Sequence, residues 1–411
     1  MKKLLGLTLG IVTALGGFVD LSQIVFTMQA GSLFRFQLMW SVVIGLIAII
    51  IYMEMCGRIA AVTKMPVFAV IRKRMGHRLG VFTLILSTVL NLITCAAEIG
   101  GLGIILHLVT GRNQTYCTVG ASIVIGMVVV VSRFQWIERI FGLTGLLMIV
   151  FALSAWNTMP DWPSVLRGLI PESPPGSGHL QWLYAYFAVG IFSAMLMEYE
   201  VYFYSSGAIE EEWTEDDLGE NVLVASLGST LGAMLTAALV VLGAQVFLPH
   251  SIFPDALSST VIPATIHFGP SVMILALIGM LACIGGAAIE TTLCGSYNVC
   301  QFYDFPWGKN KSVRSAPLFT LLWIGVLAIS TGIALSGVRP LTLVNIAVVF
   351  AMVAMPLTYY PILKAAGDPR LLGKHANRPI YQGIGWIFFG VIAVCAIAAV
   401  PLAVITSFGK P

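Results

Sequence analysis

Two glutamates, Glu198 and Glu200, stand inside a run from Trp182 to Gly207 that is otherwise almost wholly apolar and aromatic. A charged side chain at the depth of a bilayer costs about 3 kcal/mol or more, so it normally faces a cavity, a partner or an ion. A protonated acid, or one tied to a neighbouring helix, would satisfy the same pattern. A third acid, Asp20, lies in Gly16-Gly17-Phe18-Val19-Asp20-Leu21-Ser22-Gln23, again within an apolar run. The chemistry open to such groups is the handling of cations or protons inside a membrane. The six histidines show no HxxxH or HExxH spacing, so no zinc hydrolase is implied. No Walker A motif is present to couple the chain to ATP, and no enzyme activity is expected.

The elements that must position these acids follow from composition. Of 411 residues, 58% are hydrophobic and only 10% charged, against roughly a quarter charged in soluble domains. The chain is therefore read as an all-α, polytopic integral membrane protein, with few alternating patterns that would build a β-barrel. Hydropathy places about eleven spans at about 4–33, 36–57, 79–109, 117–132, 140–156, 180–207, 221–248, 270–300, 315–337, 341–364 and 381–407. The first and sixth carry polar interruptions at mid-span. An interrupted helix opening each of two five-helix halves is the signature of a LeuT-like inverted repeat, in which unwound backbone offers carbonyls to a cation at the midplane. The expected organisation is one membrane domain over residues 1–411. Its first repeat covers about 4–158, its second about 180–366, and an extra helix about 381–407.

Basic residues set the orientation. Lys64, Arg72, Lys73 and Arg74, then Arg133 and Arg139, then Lys309, Lys311 and Arg314, then Lys364, Arg370, Lys374 and Arg378 fall on the side that holds Lys2 and Lys3. The N-terminus is expected in the cytoplasm and the C-terminus outside, in a bacterial inner membrane. The acidic stretch Glu210 to Glu220 reads as a solvated helix start or as a lure for cations at an inner vestibule. Seven cysteines, mostly in apolar runs and without CxxC spacing, give no disulfide framework. The basic loops follow from topology and give no reason to invoke nucleic acid. The bilayer is the one partner the sequence demands, and no obligate protein partner is evident.

The residues from Gly17 to Gly31 closed by Gln29-Ala30-Gly31, the loop with Val62-Thr63-Lys64, Glu98 of the third span and Met355-Pro356 resemble the natural resistance-associated macrophage protein (Nramp) family of divalent-metal transporters. The resemblance covers nearly the whole chain. The family's first helix carries Asp-Pro-Gly-Asn and its sixth an Ala-x-x-Met-Pro-His run. Counting back from Gln29-Ala30-Gly31 puts the Asp on Asp20 and the Asn on Gln23. Counting back from Tyr202-Phe203-Tyr204-Ser205 puts the Ala on Ala194, the Met on Met197, the Pro on Glu198 and the His on Tyr199. The departures are Asp-Leu-Ser-Gln for Asp-Pro-Gly-Asn, Tyr199 for the family's His, and Cys95 for the third-span Asp of the proton route.

The resemblance implies a secondary transporter moving a divalent cation, Mn²⁺ or Fe²⁺, by alternating access, with no bound cofactor beyond that substrate. It implies a ligand set of the Asp20 carboxylate, the Gln23 carboxamide, the Ala194 carbonyl and the Met197 sulfur. A thioether favours transition metals over Mg²⁺ and Ca²⁺. Glu198, Tyr199, Glu200, Cys95, Glu98 and Glu290 are candidates for a further ion or proton pathway. Neither a tyrosine nor a buried cysteine titrates near neutrality unaided, so uncoupled transport is expected ahead of a proton route rebuilt on the glutamates. Two alternatives remain open: a carrier of Mg²⁺ or many cations, favoured by the extra acids, and a protein that has kept the fold as a sensor or organic-cation carrier.

Overall fold

The computed structural model describes residues 19–172, 176 and 178–411. The first half of the first expected span, with Gly16 and Gly17, lies outside the described residues. All regular secondary structure among those described is helical. The long helices are α1 (Leu21–Phe34), α2 (Met39–Thr63), α3 (Val67–Thr110), α4 (Gln114–Val131), α5 (Phe134–Asn157), α6 (His179–Ala194), α7 (Glu198–Glu210), α8 (Leu218–Leu242), α9 (Pro270–Tyr303), α10 (Pro317–Leu335), α11 (Pro340–Ala366) and α12 (Pro379–Ile405). Helices α6 and α7 make one passage. Counting that pair once and leaving out the short α1, ten passages among the described residues are long and apolar enough to cross a membrane. The chain is an integral membrane protein.

Two boundaries differ from expectation. The basic segment 58–78 is not a loop: α2 runs to Thr63, Lys64 closes it in the left-handed region, and α3 begins at Val67. Its apolar first turn, Val67 to Ile71, is buried; the charged residues that follow lie toward the surface around Gly76, at φ 74°, and burial resumes at Gly80. A glycine is what such a φ requires. The fifth passage likewise begins at Phe134 and holds a 3₁₀ turn at Leu146–Met148.

Helix α1 is buried on all sides, as expected of a helix that is apolar all round. It meets α8 backbone to backbone. A methyl group on Gly31 would stand 2.1 Å from the Val240 carbonyl oxygen, and one on Gly243 would stand 2.3 Å from that of Met28. Small residues at such a crossing let helices pack closely where lipid offers no hydrophobic drive. On the outer faces, Val131, Ile387 and Ile397 are 68–82% exposed, as suits side chains against lipid tails.

One end of the bundle is laced by charges. Arg58 forms a salt bridge with Glu54 at 2.8 Å and also bonds Asn377 and the His375 carbonyl. Arg74 pairs with Asp368 at 2.6 Å, and His375 with Glu215 at 3.0 Å. Hydrogen bonding from Arg74 holds the Asp368 carboxyl below its ordinary range, and that from His375 does the same for Glu215. Glu210, at the end of α7, accepts from the Tyr297 hydroxyl at 3.0 Å and from the Lys309 amide. The far end of α7 is thereby tied to α9 and the segment that follows it.

Candidate functional site

The break in the sixth passage, between Ala194 and Glu198, contains neither proline nor glycine. Helix α1 starts where Asp20 caps it: its Oδ1 accepts from the Gln23 amide at 2.9 Å and from the Ser22 hydroxyl at 2.5 Å. An aspartate in this N-cap role satisfies amides that no helical carbonyl can reach. Ser22 and Gln23 are consequently helical. In the sixth passage, α6 ends at Ala194, the amides of Met195 and Leu196 bond back to Ile191 and Ser193, and Met197 turns extended at ψ 130°. Helix α11 holds this unwound stretch. Its Tyr359 hydroxyl donates to the Leu196 carbonyl at 2.8 Å, and its Val348 carbonyl accepts from Ser193 Oγ at 2.7 Å. The neighbouring passages thus supply the partners that freed backbone needs in a membrane.

The start of α1 faces the break between α6 and α7. Gln23 Nε2 donates to the Ala194 carbonyl at 2.9 Å, and the Tyr199 hydroxyl donates to Asp20 Oδ2 at 3.0 Å. Ala194, Met197 and Asp20 are at most 1% exposed. Gln23 Oε1, left over from the amide contact, is buried without a hydrogen-bond partner. The arrangement therefore presents a carboxylate, an orphan carboxamide oxygen and a helix-terminal carbonyl, with the Met197 thioether in the same unwound turn. The C-terminal end of α6 adds its partial negative charge. Among the described residues, no three His, Cys, Asp or Glu side chains form a ready-made metal cluster. This site has one carboxylate and otherwise neutral oxygens and a sulfur.

The other predicted residues divide into two groups. Glu98 of α3 accepts from the Leu21 amide at 3.3 Å through Oε1, and its Oε2 is buried without a partner. Glu98, Glu200 and Glu290 all lie within electrostatic reach of Asp20. Cys95 is one turn from Glu98 and spends its thiol on Thr292 Oγ1 at 3.3 Å. Glu198 stands apart, on the face of α7 opposite Glu200 and turned toward Tyr202. Sequence reading missed Ser22, Tyr359, and Cys294, whose thiol meets the Tyr199 carbonyl at 3.3 Å. Ser22 alone had a local signal, a hydroxyl two residues after an N-cap acid.

A polytopic helical protein in which a helix start and an interrupted passage meet around one buried acid is, by fold and site, of the broken-helix secondary-transporter class. A model of the natural resistance-associated macrophage protein-like (Nramp) family matches residues 10–401, and the chain belongs to that family. It is 22% identical over 390 residues, 90% of this chain and 83% of the relative, to the divalent metal cation transporter MntH of Latilactobacillus sakei. Its fold is similar to that of the Eremococcus coleocola manganese transporter in complex with an aromatic bis-isothiourea substituted compound. The TM-score is 0.74 at 19% identity, over 98% of this chain and 87% of that one. It is also similar in fold to MhsT in complex with L-phenylalanine, with a TM-score of 0.65 at 16% identity over 97% and 98% of the two chains. These relatives are transporters, in keeping with the expectation of a carrier rather than an enzyme.

Proposed function

We propose that the chain carries a divalent transition metal, Mn²⁺ or Fe²⁺, across a bacterial inner membrane by alternating access. Family membership and the naming of relatives such as MntH as divalent-metal transporters support the substrate class. The observation that carries the site is the orphan Gln23 Oε1 beside Asp20 and the Ala194 carbonyl. A buried acceptor without a partner costs about 1–3 kcal/mol, and a cation coordinated there removes that cost. In this reading Asp20 supplies the charge, Gln23 Oε1 and the Ala194 carbonyl supply oxygens, and Met197 supplies the one soft ligand. Tyr199 orients Asp20 from across the break. Movement of α1 relative to α6 and α7 would take the set apart, because its ligands come from both sides.

Loss of partners that merely orient metal ligands costs about 10–100-fold in affinity, so loss of the charged ligand should cost more. Radiotracer Mn²⁺ uptake into proteoliposomes is expected to fall by over about 100-fold in Asp20→Ala. Undiminished uptake in that variant would show that the site lies elsewhere. A second reading, a Mg²⁺ or broad-cation carrier, is favoured by Glu200 and Glu290 within reach of Asp20, since added carboxylates suit a hard, partly hydrated ion. Suppression of Mn²⁺ uptake by equimolar Mg²⁺ would establish it. Absence of binding by any divalent ion, measured calorimetrically on purified protein, would instead indicate a sensor or organic-cation carrier.

A further inference from the structure

The Glu198 carboxylate is used by none of this. Glu198 and Tyr202 are four residues apart on α7 and share a face, whereas Glu200 lies on the opposite one. Glu198 is 1% exposed, and its Oε1 has no hydrogen-bond partner. The Tyr202 hydroxyl shares a short hydrogen bond with Thr358 Oγ1 of α11 and also faces Glu198 and Ser87 of α3. Ser87 Oγ accepts from Asn298 Nδ2 of α9 at 2.8 Å and from Asn91 Nδ2 at 3.4 Å. Asn298 is fully buried, and its Oδ1 is a second acceptor with no partner. One buried polar network, drawn from four helices, therefore carries two orphan atoms, both of them acceptors.

We propose that Glu198, Tyr202, Thr358, Ser87 and Asn298 form a second cation site, for a monovalent alkali cation of the Na⁺ class. What is missing around two unsatisfied acceptors is positive charge or a donor. Every candidate ligand is oxygen, with neither sulfur nor imidazole to favour a transition metal, so a hard ion fits. The network holds one carboxylate, which one unit of positive charge balances. A divalent ion would leave a net charge buried in low dielectric, where it is costly. The ligands come from α3, α7, α9 and α11, so an ion bound there ties the start of α7 to three passages that pack around it. It would thereby stabilise the arrangement in which α7 stands against α3 and α9. The site does not depend on metal binding at Asp20.

The test is thermal unfolding of the purified full chain in detergent, with Na⁺, K⁺ or N-methylglucamine chloride at constant ionic strength. A saturable rise in Tm of at least about 2 °C is expected with an alkali cation and not with N-methylglucamine. The rise should persist in Asp20→Ala and disappear in Glu198→Gln, so failure of the Asp20 reading leaves it intact. Should Glu198→Gln not fold, Thr358→Val or Asn298→Ala is expected to shift the Na⁺ half-saturation upward by at least about tenfold, following loss of one ligand. Equal Tm in all three salts would overturn the site, with water then the occupant. An alkali-specific rise unchanged in Glu198→Gln would overturn it too.

Discussion

Asp20 is held by three donors, the Ser22 hydroxyl, the Gln23 amide and the Tyr199 hydroxyl, none of which carries charge. Neutral donors orient a buried carboxylate without balancing it; in the proposed function the transported cation does so. Selectivity is then a matter of the remaining ligands. Met197 is fully buried in the unwound turn and brings the one sulfur of the proposed set. Met197→Ala is expected to lower Mn²⁺ uptake by less than about tenfold while strengthening competition by Ca²⁺ at least tenfold, because softness was what disfavoured the hard ion. Competition assays in proteoliposomes read both; unchanged Ca²⁺ exclusion would remove Met197 from the ligand set. Of the groups now seen together, Asp20 was legible as an acid in an apolar run, whereas Gln23, Ala194 and Tyr199 were legible only through the resemblance to the family's two helix motifs. Tyr359 and Cys294 were not, since each serves the break from a distant passage, where a single polar residue leaves no local pattern. The direction of Glu198 was legible only as a condition: it followed once α7 proved helical from Glu198 onward.

At the scale of elements, the site depends on where α1 is placed, and α1 is placed by its crossing with α8. A methyl on Gly31 would meet backbone, the Val240 carbonyl at 2.1 Å and the Ala244 amide at 2.9 Å, so no side chain can swing aside to relieve the clash. Overpacking of this kind costs about 1–3 kcal/mol or more, and here relief requires the helices to part. Gly31→Ala is therefore expected to lower the melting temperature by several degrees and Mn²⁺ uptake by at least about tenfold, through displacement of Asp20 rather than loss of a ligand. Gly120→Ala on α4, where a methyl meets nothing within 4 Å, is the control and should leave both unchanged. Equal behaviour of the two variants in thermal and uptake assays would disprove the close crossing. The interruption of the sixth passage was readable from acids in an apolar run, because burying a carboxylate constrains the backbone around it. The start of α3 was not, since a basic amphipathic turn and a loop share one composition, and Gly76 gave no sign of which it joined.

For the whole molecule, the question is what drives the metal. A proton-coupled carrier needs a group that changes charge near neutral pH in step with transport. The family's two positions for it hold Tyr199, whose hydroxyl is engaged by Asp20, and Cys95, whose thiol meets Thr292. Uncoupled entry is nonetheless sufficient energetically. An inside-negative potential contributes about 2.3 kcal/mol per charge per 100 mV, hence about 4.6 kcal/mol for a divalent ion, enough for over thousandfold accumulation. Liposomes bearing the protein and loaded with a pH dye are thus expected to take up Mn²⁺ without acidifying. Uptake should rise when a K⁺ diffusion potential makes the interior negative. Acidification that follows metal entry and disappears in Glu200→Gln would instead show a proton route rebuilt on the acids around Asp20. Glu200 is the discriminating position because it lies within electrostatic reach of both Asp20 and Glu290 while no hydrogen bond satisfies its Oε1. Acidification indifferent to Glu200→Gln would move the route to Glu98, the acid that the Leu21 amide holds against the start of α1.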